Sequence, residues 1–465
     1  MKAGFSDVLI GLQYGDEGKA RIIDTIAEEY DVIARFNGGS NAGHTIETGG
    51  IRISLHQVPS GVFYPQKLLY VGSGCVVNPV KLTAEIQEVE AAGIALDERF
   101  RLSGLATLVQ PHHVLIDRLT GSAIGTTGQG IGPAYSDRAK RLDGGRLLNI
   151  RVGDLLSDRS KTFALVRENL VHTVNRRKLA DIDIDRIMEE FAQTASAIVK
   201  YIEPDTLYMS KLVAKGLNVL FEGAQSFMLD VTKGSVPYVT SSATLAAAAY
   251  VGGDLPPKLH RKTIGVAKAI MSRVGWGPFA SELGGTRSEH YCMKPAVDDV
   301  RAAEAVLDVD RLIASEDPFE VGIALRVLGN EYGATTGRPR RVGYLDLVQL
   351  AYAVRSNGVD ELFLNKCDSL ADYAKTRNGT MPVASGYRQN ERSIDYVPAS
   401  ADAYRAIDVL TEQLPCFDAD ISHARSTSQL PNELTSFIER IESIACPVRG
   451  IGVGPRREQY VLMSE

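Results

Sequence analysis

The start of the chain combines a short apolar run, a glycine-rich loop and an amphipathic segment, and this order strongly constrains the fold. Residues 8–10 predict a buried strand, residues 11–18 a loop, and residues 19–29 a helix with its isoleucines on one face. A second strand is predicted at residues 31–36, followed by another glycine-rich turn at 37–44. We expect these two loops to face one cleft.

The first loop has the composition of a phosphate site. Its backbone N–H groups and Lys19 lie at a predicted helix N-terminus, where the helix dipole favours an anion. It departs from the standard P-loop, because Gln13 stands where a glycine is needed and Ala20 where a metal-binding hydroxyl would be. Asp16 would repel a nucleotide unless it binds Mg²⁺ or accepts a proton. The alternative interpretation is a simple helix-capping turn.

The tetrapeptide at residues 365–368, Asn-Lys-Cys-Asp, follows an apolar run and predicts a guanine pocket. Guanine offers two adjacent donors, N1–H and the N2 amine, and the carboxylate of Asp368 could accept both. Lys366 could lay its methylene stem along the base, and Asn365 could tie neighbouring backbone together. The alternative is a polar loop at a strand end without a ligand.

Composition narrows the class of protein. With 465 residues, 44% hydrophobic and 23% charged, the chain suits a globular enzyme. A net charge of −6 does not favour a nucleic-acid or membrane surface. The five cysteines show no C-x-x-C spacing and the N-terminus has no signal-like run, so a reducing cytoplasm is expected. We find no repeat or linker, which favours a single domain over 1–465.

Two further clusters could contribute chemistry. His44 ends the second glycine-rich turn, where it could donate to an oxygen of a transferring phosphate, although a lone histidine is often structural. Arg338, Arg340 and Arg341 lie within four positions and are costly to hold together without anions. They predict an acidic co-substrate, with a solvated basic face as the alternative.

The rest of the chain predicts further strands, helices and loops. A third glycine-rich loop occupies residues 125–133, and residues 160–203 are predicted to be helical. A strand at 217–221 is expected to lead into the polar loop 222–225. Residues 284–332 are the least decipherable segment, with a predicted helix at 297–307 and a second apolar stretch around 321–328.

Together these motifs resemble the adenylosuccinate synthetase family, whose members join inosine monophosphate to aspartate at the expense of GTP. The resemblance covers nearly the whole chain and rests on GDEGK at 15–19, RFNGGSNAGHT at 35–45, PSG at 59–61, IGTTGQGIGPAY at 124–135, RVGDL at 151–155, LFEGAQ at 220–225, PYVTSS at 237–242, RVGWGPF at 273–279, GATTGRPRR at 333–341 and NKCD at 365–368. It implies an α/β fold with a large, mainly parallel central sheet and surrounding helices, distantly like P-loop hydrolases, and a homodimer.

The resemblance also implies roles for individual residues. Asp16 would be the general base and, with the Gly43 carbonyl, a Mg²⁺ ligand; His44 would be the general acid, and Gln225 would also act at the catalytic centre. GTP would be bound by Gly15, Glu17, Gly18, Lys19, Gly43, His44, Thr45, Lys366, Asp368, Gly452 and Gly454. IMP would be bound by Asp16, Asn41, Thr127, Arg141 (from the partner subunit), Gln225, Thr240 and Arg338. Aspartate would be bound by Thr335, Thr336, Arg338 and Arg340.

Several positions depart from the usual pattern of the family, and residues 284–332 are longer than it usually carries there. The departing positions are Tyr14, Ala20, Arg21, Ser40, Gln129, Ala243 and Gly452. Two other functions stay open: a paralogue that ligates aspartate to another 6-oxopurine nucleotide such as (d)GMP, and a regulator that binds GTP without chemistry. Asp16 speaks against the first, and the intact acid and base against the second.

Overall fold

The structure, a computed structural model, describes residues 3–48, 51–121, 125–333 and 337–463, without the side chains of residues 44–48, 51 and 52. The strands, numbered along the chain, are β1 (Ser6–Gly11), β2 (Val32–Arg35), β3 (His44–Thr48), β4 (Ile51–Leu55), β5 (Leu68–Val71), β6 (Val76–Val77), β7 (Phe100–Ser103), β8 (Thr107–Leu108), β9 (Leu142–Asp143), β10 (Arg146–Leu147), β11 (Ile202–Glu203), β12 (Val219–Ser226), β13 (His260–Lys268), β14 (Ile270–Arg273), β15 (Arg341–Tyr344), β16 (Glu361–Asn365), β17 (Thr380–Gln389), β18 (Arg392–Ile394), β19 (Asp408–Pro415), β20 (Val448–Gly452) and β21 (Tyr460–Leu462).

The α-helices are interspersed with these strands along the chain. They are α1 (Lys19–Ile26), α2 (Pro79–Ala91), α3 (Pro111–Thr120), α4 (Ile131–Lys140), α5 (Asp154–Ser157), α6 (Arg159–Arg177), α7 (Ile184–Ala197), α8 (Tyr208–Ala214), α9 (Ala248–Gly252), α10 (Gly285–Met293), α11 (Val300–Ala305), α12 (Val309–Ile313), α13 (Pro318–Leu328), α14 (Leu347–Asn357), α15 (Ala401–Arg405) and α16 (Asn432–Glu442). None of the helices in the described ranges has the length and apolar content that a bilayer crossing needs.

One large sheet organises the fold. Its ten strands follow the order β11-β7-β5-β2-β12-β1-β13-β16-β20-β21. Six of the neighbouring pairs with a described register are parallel, and the β20–β21 pair at the edge is antiparallel. Strands such as β1 and β2 are buried along their whole length, as expected when both faces of a parallel sheet are covered. The predicted α/β fold with a large, mainly parallel sheet is confirmed.

The chain divides into two compact units. The first contains Met1–Leu9, Ala20–Gln225 and Thr240–Lys262, and the second Ile10–Lys19, Ser226–Val239 and Thr263–Glu465. The expectation of one domain over 1–465 stays a prediction.

In the first unit, helices pack on one another beside the parallel strands. Helix α2 contacts α7, and α3 contacts both α4 and α6. Val76, Val109, Ile131 and Ala134 form a fully buried apolar cluster that fixes the start of α4. The antiparallel β9–β10 hairpin follows α4 directly.

In the second unit, a three-stranded antiparallel sheet in the order β18-β17-β19 lies beside α14, which contacts β17. Strands β14 and β15 form a separate antiparallel pair, in which Arg273 is opposite Arg341. Helix α13 packs against α12 and β15. Residues 284–332 contain four short helices, α10 to α13. The helix predicted at 297–307 corresponds to α11, and the apolar stretch around 321–328 lies in α13.

Two predicted spans are wrong in part. Residues 160–203 are not continuously helical, because α6 ends at Lys178 in the left-handed conformation (φ 52°), Asp183 caps a new helix, and β11 closes the stretch. Residues 222–225 are not a loop, since β12 continues to Ser226 with Glu222 buried. Glu222 accepts hydrogen bonds from the backbone N–H and the hydroxyl of Ser60, at 2.8 and 2.7 Å, and so satisfies its charge inside the unit.

The N-cap of α14 is a carboxylate buried almost completely, Asp346. It accepts hydrogen bonds from the backbone N–H of Gln349 at 3.0 Å and from the hydroxyl of Tyr387 at 2.5 Å. Burial raises the pKa of Asp346 to about 6, although these hydrogen bonds act in the opposite direction. Because its pKa is raised above the unfolded value of about 3.9, the stability that this group contributes is present at low pH and is lost as pH rises through about 6.

We predict that Asp346→Asn removes this pH dependence, since asparagine also caps helices but does not ionise. Relative to the wild type, the free energy of unfolding of the variant should increase by roughly 3 kcal/mol between about pH 4 and pH 7. Urea unfolding across that range measures it. The control is Asp308→Asn, which replaces the exposed N-cap of α12. If both variants show the same pH dependence, the burial of Asp346 does not perturb its titration.

Candidate active site

The loop that follows β1 is folded around the buried carboxylate of Glu17. This carboxylate accepts the backbone N–H groups of Gln13 and Gly15 at 3.2 and 2.8 Å, the Lys19 ammonium at 3.1 Å and the Ser226 hydroxyl at 2.5 Å. Glu17 is fully buried and Lys19 nearly so. Glu17 therefore holds the loop from inside. Because its carboxylate is already bonded to these four groups, Glu17 could contact a ligand only through its backbone.

Asp16 faces outward because of the backbone conformation next to it. Gly15, Asp16 and Gly18 all have positive φ, at 97°, 57° and 87°. Glycine adopts this region without strain and aspartate tolerates it better than most residues. The Asp16 side chain is 40% exposed, in contrast to Glu17 beside it. The loop thus presents one carboxylate to solvent and buries the other.

Arg340 lies between two carboxylates. Its guanidinium contacts Asp16 at 2.9 Å through one terminal nitrogen and Glu331 at 2.9 Å through the other. Its backbone N–H also donates to the Glu331 carbonyl at 3.0 Å. Arg340 was predicted to bind aspartate; the structure gives it two internal partners, and this role stays a prediction.

Four side chains surround the buried carboxylate of Glu331, and we call this group the Glu331 cluster. Besides Arg340, Glu331 accepts the Ser272 hydroxyl at 2.8 Å and the Lys268 ammonium at 3.2 Å, and the Lys366 ammonium lies 3.6 Å away. The side chains of Lys268 and Glu331 are only 2% and 4% exposed. An unpaired charge at this depth would be strongly unfavourable, so the cluster depends on mutual compensation.

The charges of this cluster do not balance. Lys268, Arg340 and Lys366 carry three positive charges against the two negative charges of Glu331 and Asp16. Burial alone would raise the pKa of Glu331, but the charges of Lys268, Lys366 and Arg340 outweigh it and hold that pKa well below its usual range. Burial lowers the pKa of Lys268, although the negative charge of Glu331 acts in the opposite direction. The excess positive charge favours an anionic ligand beside Asp16.

The tetrapeptide 365–368 is joined directly to the loop of Asp16. The Asn365 amide donates to the Glu17 carbonyl at 2.6 Å, so it ties neighbouring backbone together as predicted. A Cβ at Gly18 would lie 2.8 Å from this amide, so the close approach requires glycine there. The Cys367 N–H donates to the Gly452 carbonyl at 3.1 Å, which places the end of β20 beside the predicted guanine pocket.

The other two arginines of the 338–341 segment, Arg338 and Arg341, differ in how exposed their side chains are. Arg341 is buried and pairs with Glu282 through two nitrogens, at 2.8 and 2.5 Å, and with Glu289 at 3.3 Å. Arg338 is exposed. The anions that hold Arg340 and Arg341 are therefore carboxylates of the protein itself. Thr335 and Thr336 lie outside the described residues.

Residues 284–332 support this arginine loop. Glu289, from α10, pairs with Arg341, and Glu304, from α11, pairs with Arg326 of α13 at 2.6 Å, both side chains being 1% exposed. Arg326 in turn donates to the Arg340 carbonyl at 3.0 Å. The segment that sequence patterns described least well therefore holds the backbone on which the Glu331 cluster depends.

In the first unit, Asn37 connects three predicted binding segments. Its side chain exchanges hydrogen bonds with the Ala224 backbone, at 2.8 and 3.2 Å, and donates to the Ser242 hydroxyl at 3.2 Å. Gln225 follows with a positive φ of 55°, a conformation that side chains adopt at some cost. Strain of this kind is common where a side chain is aimed at a ligand.

Asn41 and Gln225 approach each other around Gly38. A Cβ at Gly38 would lie 3.1 Å from the Gln225 side-chain oxygen and 3.6 Å from that of Asn41. The Asn41 side chain also accepts the Gly39 N–H at 3.1 Å. The structure therefore brings these two predicted IMP residues together, as the resemblance implies.

The positions of the other predicted binding residues in the first unit say less about their roles. Thr127 and Arg141 are exposed, and Arg141 ends α4 with a φ of 66°. Thr240 is half-buried and Gly43 exposed. The backbones of His44 and Thr45 begin β3, opposite Leu55 and Ser54, while their side chains lie outside the described part of the chain.

Sequence reasoning missed Glu331, Lys268 and Asn37. Lys268 had a usable signal, since a lysine that ends an apolar run in a buried strand needs a buried partner. Glu331 gave none, because its four partners come from distant parts of the chain.

We predict that Glu331→Gln lowers the free energy of unfolding by about 3–5 kcal/mol, because it leaves buried cations without their carboxylate. The matched control is Glu320→Gln, which removes a partly exposed carboxylate paired with Arg311 at 3.2 Å. That change should cost less than about 1 kcal/mol. Equal midpoints in urea unfolding for the two variants would show that the Glu331 cluster does not stabilise the fold.

Comparisons with known proteins agree with this geometry. The family model described as adenylosuccinate synthetase matches residues 8–461. Adenylosuccinate synthetase 2 of Cupriavidus pinatubonensis is 47% identical over 466 residues, covering 100% of this chain and 98% of that protein. The fully ligated adenylosuccinate synthetase of Plasmodium falciparum is 29% identical with a TM-score of 0.85, covering 99% of this chain and 100% of its own.

A more distant likeness concerns the fold alone. The succinoaminodeoxyadenylate synthetase of cyanophage S-2L, solved with dGMP and dATP, is 19% identical with a TM-score of 0.59, covering 99% of this chain and 96% of its own. The match of the family model to nearly the whole chain and the 47% identity to a curated member lead to one conclusion: the chain belongs to the adenylosuccinate synthetase family.

Proposed function

We propose that the protein ligates L-aspartate to IMP, giving adenylosuccinate, while GTP is converted to GDP and phosphate. Membership of the family and the 47% identical relative support this reaction and its place in purine biosynthesis. The observation that carries it is the half-exposed Asp16, oriented by Arg340 and held in a loop that Asn365 ties to the guanine tetrapeptide. One structural element thus links the predicted base to the predicted nucleotide pocket.

Asp16 acts as general base on N1–H of the purine. As the proton leaves N1, charge moves to the 6-oxygen, which attacks the γ-phosphorus of GTP and forms a 6-phosphoryl intermediate. The Arg340 guanidinium, 2.9 Å from Asp16, orients this carboxylate for the step. The aspartate amine then displaces phosphate, a far better leaving group than the original oxygen.

His44 acts as general acid toward the oxygen of the transferring phosphate, and Gln225 orients the purine. Asn41, Thr127, Thr240 and the partner subunit's Arg141 complete the IMP site. Arg338, whose guanidinium is exposed, binds an aspartate carboxylate together with Thr335 and Thr336. Lys19 and Gly18 contact GTP phosphates.

Mg²⁺ is the cofactor of this proposal, and Asp16 and the Gly43 carbonyl would hold it. The fit is supported by the 40% exposed carboxylate of Asp16, a hard oxygen donor of the kind that Mg²⁺ prefers, and by the exposure of Gly43. The ion would offset the charge of the γ-phosphate. A homodimer in the cytoplasm completes the proposal; the five thiols, all free, are compatible with a reducing compartment.

The competing function is ligation of aspartate to a guanylate, the class of nucleotide bound in the cyanophage enzyme. Asp16 speaks against it, because enzymes that ligate aspartate to a guanylate tend to lack this carboxylate. Aspartate-dependent phosphate release should therefore be seen with GTP and IMP, and Asp16→Asn should lower kcat at least about a hundredfold while GTP still binds.

Coupled phosphate release with IMP, GMP and dGMP as alternative substrates is the measurement. Activity confined to a guanylate would replace IMP as the substrate. Tight GTP binding without aspartate-dependent turnover on any of the three would favour the regulatory function instead.

We also predict that Asp368→Asn reduces the preference for GTP over ITP and XTP, because the paired acceptor for N1–H and N2–H is lost. The kcat/KM for GTP should fall by about a hundredfold, the equivalent of roughly 2–3 kcal/mol for hydrogen bonds to a charged group. The control is Asp372→Asn, a half-buried carboxylate paired with Lys375 on the same 3₁₀ helix. An unchanged ratio of kcat/KM values between GTP and ITP would contradict the guanine assignment.

A further inference from the structure

A cavity of about 410 Å³ lies in the first unit, lined by none of the described residues predicted for GTP, IMP or aspartate. Its walls come from α3, α4, the β9–β10 hairpin and the last turns of α6. This volume is within the range of small-molecule sites. Most of the lining residues are polar or charged, and Ile116 and Leu148 are the apolar ones.

Cations dominate this cavity. Lys140, Arg146, Arg176 and Arg177 contribute four positive charges. Asp143 faces three of them, at 2.7 Å from Lys140, 2.9 Å from Arg146 and 4.0 Å from Arg176. The lining contains two carboxylates, Asp137 and Asp143, against these four cations, so an excess of positive charge remains.

The cavity is also held in shape. Arg146, whose side chain is 15% exposed, donates to the Asn169 side chain at 2.9 Å. Asn169 in turn donates to the Leu147 carbonyl at 2.9 Å and to the Gln110 side chain at 3.0 Å. These bonds fasten the hairpin to α6 and α3. A guanidinium fixed in this way binds an anion at a smaller entropic cost than a mobile one.

The histidines of the cavity wall indicate which ligand class fits. His112 and His113 both contact the same oxygen of Asp137, at 3.0 and 3.1 Å, a grouping with the spacing of a metal site. However, the Gln110 N–H donates to Nδ1 of His113 at 3.0 Å, so Nε2 of His113 carries the proton and points it at Asp137. That tautomer cannot bind a metal through Nε2, and Asp137 already has its donors.

Two imidazole nitrogens at the cavity still lack a hydrogen-bond partner. Nδ1 of His112, a residue 3% exposed, and Nε2 of His172 are buried without one in the described chain. An unsatisfied buried group of this kind is unfavourable by about 1–3 kcal/mol. Both residues line the cavity, but these two nitrogen atoms are shielded from it, so they do not identify its occupant.

We propose that this cavity is a binding site for a small phosphorylated anion. Arg146 and Arg176 provide forks that match phosphate oxygens, and Lys140 adds a point charge at the end of α4. Asp143 pairs with these cations in the absence of a ligand, and a ligand with more negative charge would displace it from part of the cluster. The lining includes none of the residues placed in the ligation chemistry, and the cavity would serve as a regulatory site.

The test is isothermal titration of the full-length protein with inorganic pyrophosphate, in the presence of saturating GDP to occupy the predicted GTP site. Lys140→Gln/Arg176→Gln removes two cations whose side chains are 51% and 70% exposed, so folding should be preserved. The matched control, Lys161→Gln/Arg167→Gln, removes the same charge from exposed positions of α6. Binding should weaken at least about tenfold in the cavity variant and less than about twofold in the control.

Equal pyrophosphate affinity in the wild type and the cavity variant, at unchanged thermal midpoints, would overturn the proposal. Equal weakening in both double variants would overturn it as well, since net charge alone would then explain the binding. Saturable Zn²⁺ binding that His112→Ala abolishes, without competition by pyrophosphate, would replace the anion site by a metal site.

Discussion

Lys268, Arg340 and Lys366 can lie next to one another beneath the loop of Asp16 only because the carboxylate of Glu331 lies between them. Three cations at this spacing repel one another, and burial removes the water that would screen them. Glu331 offsets this repulsion and orients the cations around itself. Arg340 contacts Asp16 on one side, and Lys366 holds the end of strand β16 in place on the other. The proposed base and the proposed guanine pocket therefore share one electrostatic support.

This support extends into residues 284–332. The Glu304–Arg326 pair is almost fully buried, and Arg326 holds the backbone carbonyl of Arg340. Glu289 pairs with Arg341 and also with Arg405, so it connects the loop to α15. Residues 284–332 are thus integrated into the charged framework of the site and not appended to the surface.

Local patterns predicted much of the fold and part of the site. The strand, glycine loop and helix at residues 8–29 are visible because their periodicity and glycines are contiguous, and Asn365 was correctly expected to tie backbone together. The partners of Glu331 could not be predicted, since they come from β13, β14, the loop before β15 and the end of β16. The continuation of β12 through Gln225 was missed because its polar residues look like a loop, while their partners, such as Ser60 and Asn37, lie far away in sequence.

The hydrogen bond from Asn365 to the Glu17 carbonyl bears on how such a protein could be redesigned. Base preference and phosphate-loop geometry are often treated as separate modules, but here one amide belongs to both. An engineer who wished to change the nucleobase would have to leave Asn365 and Gly18 intact and alter the side chains that follow. Randomising the whole tetrapeptide would disturb the carboxylate loop at the same time, and inactive clones from such a library would say little about base recognition.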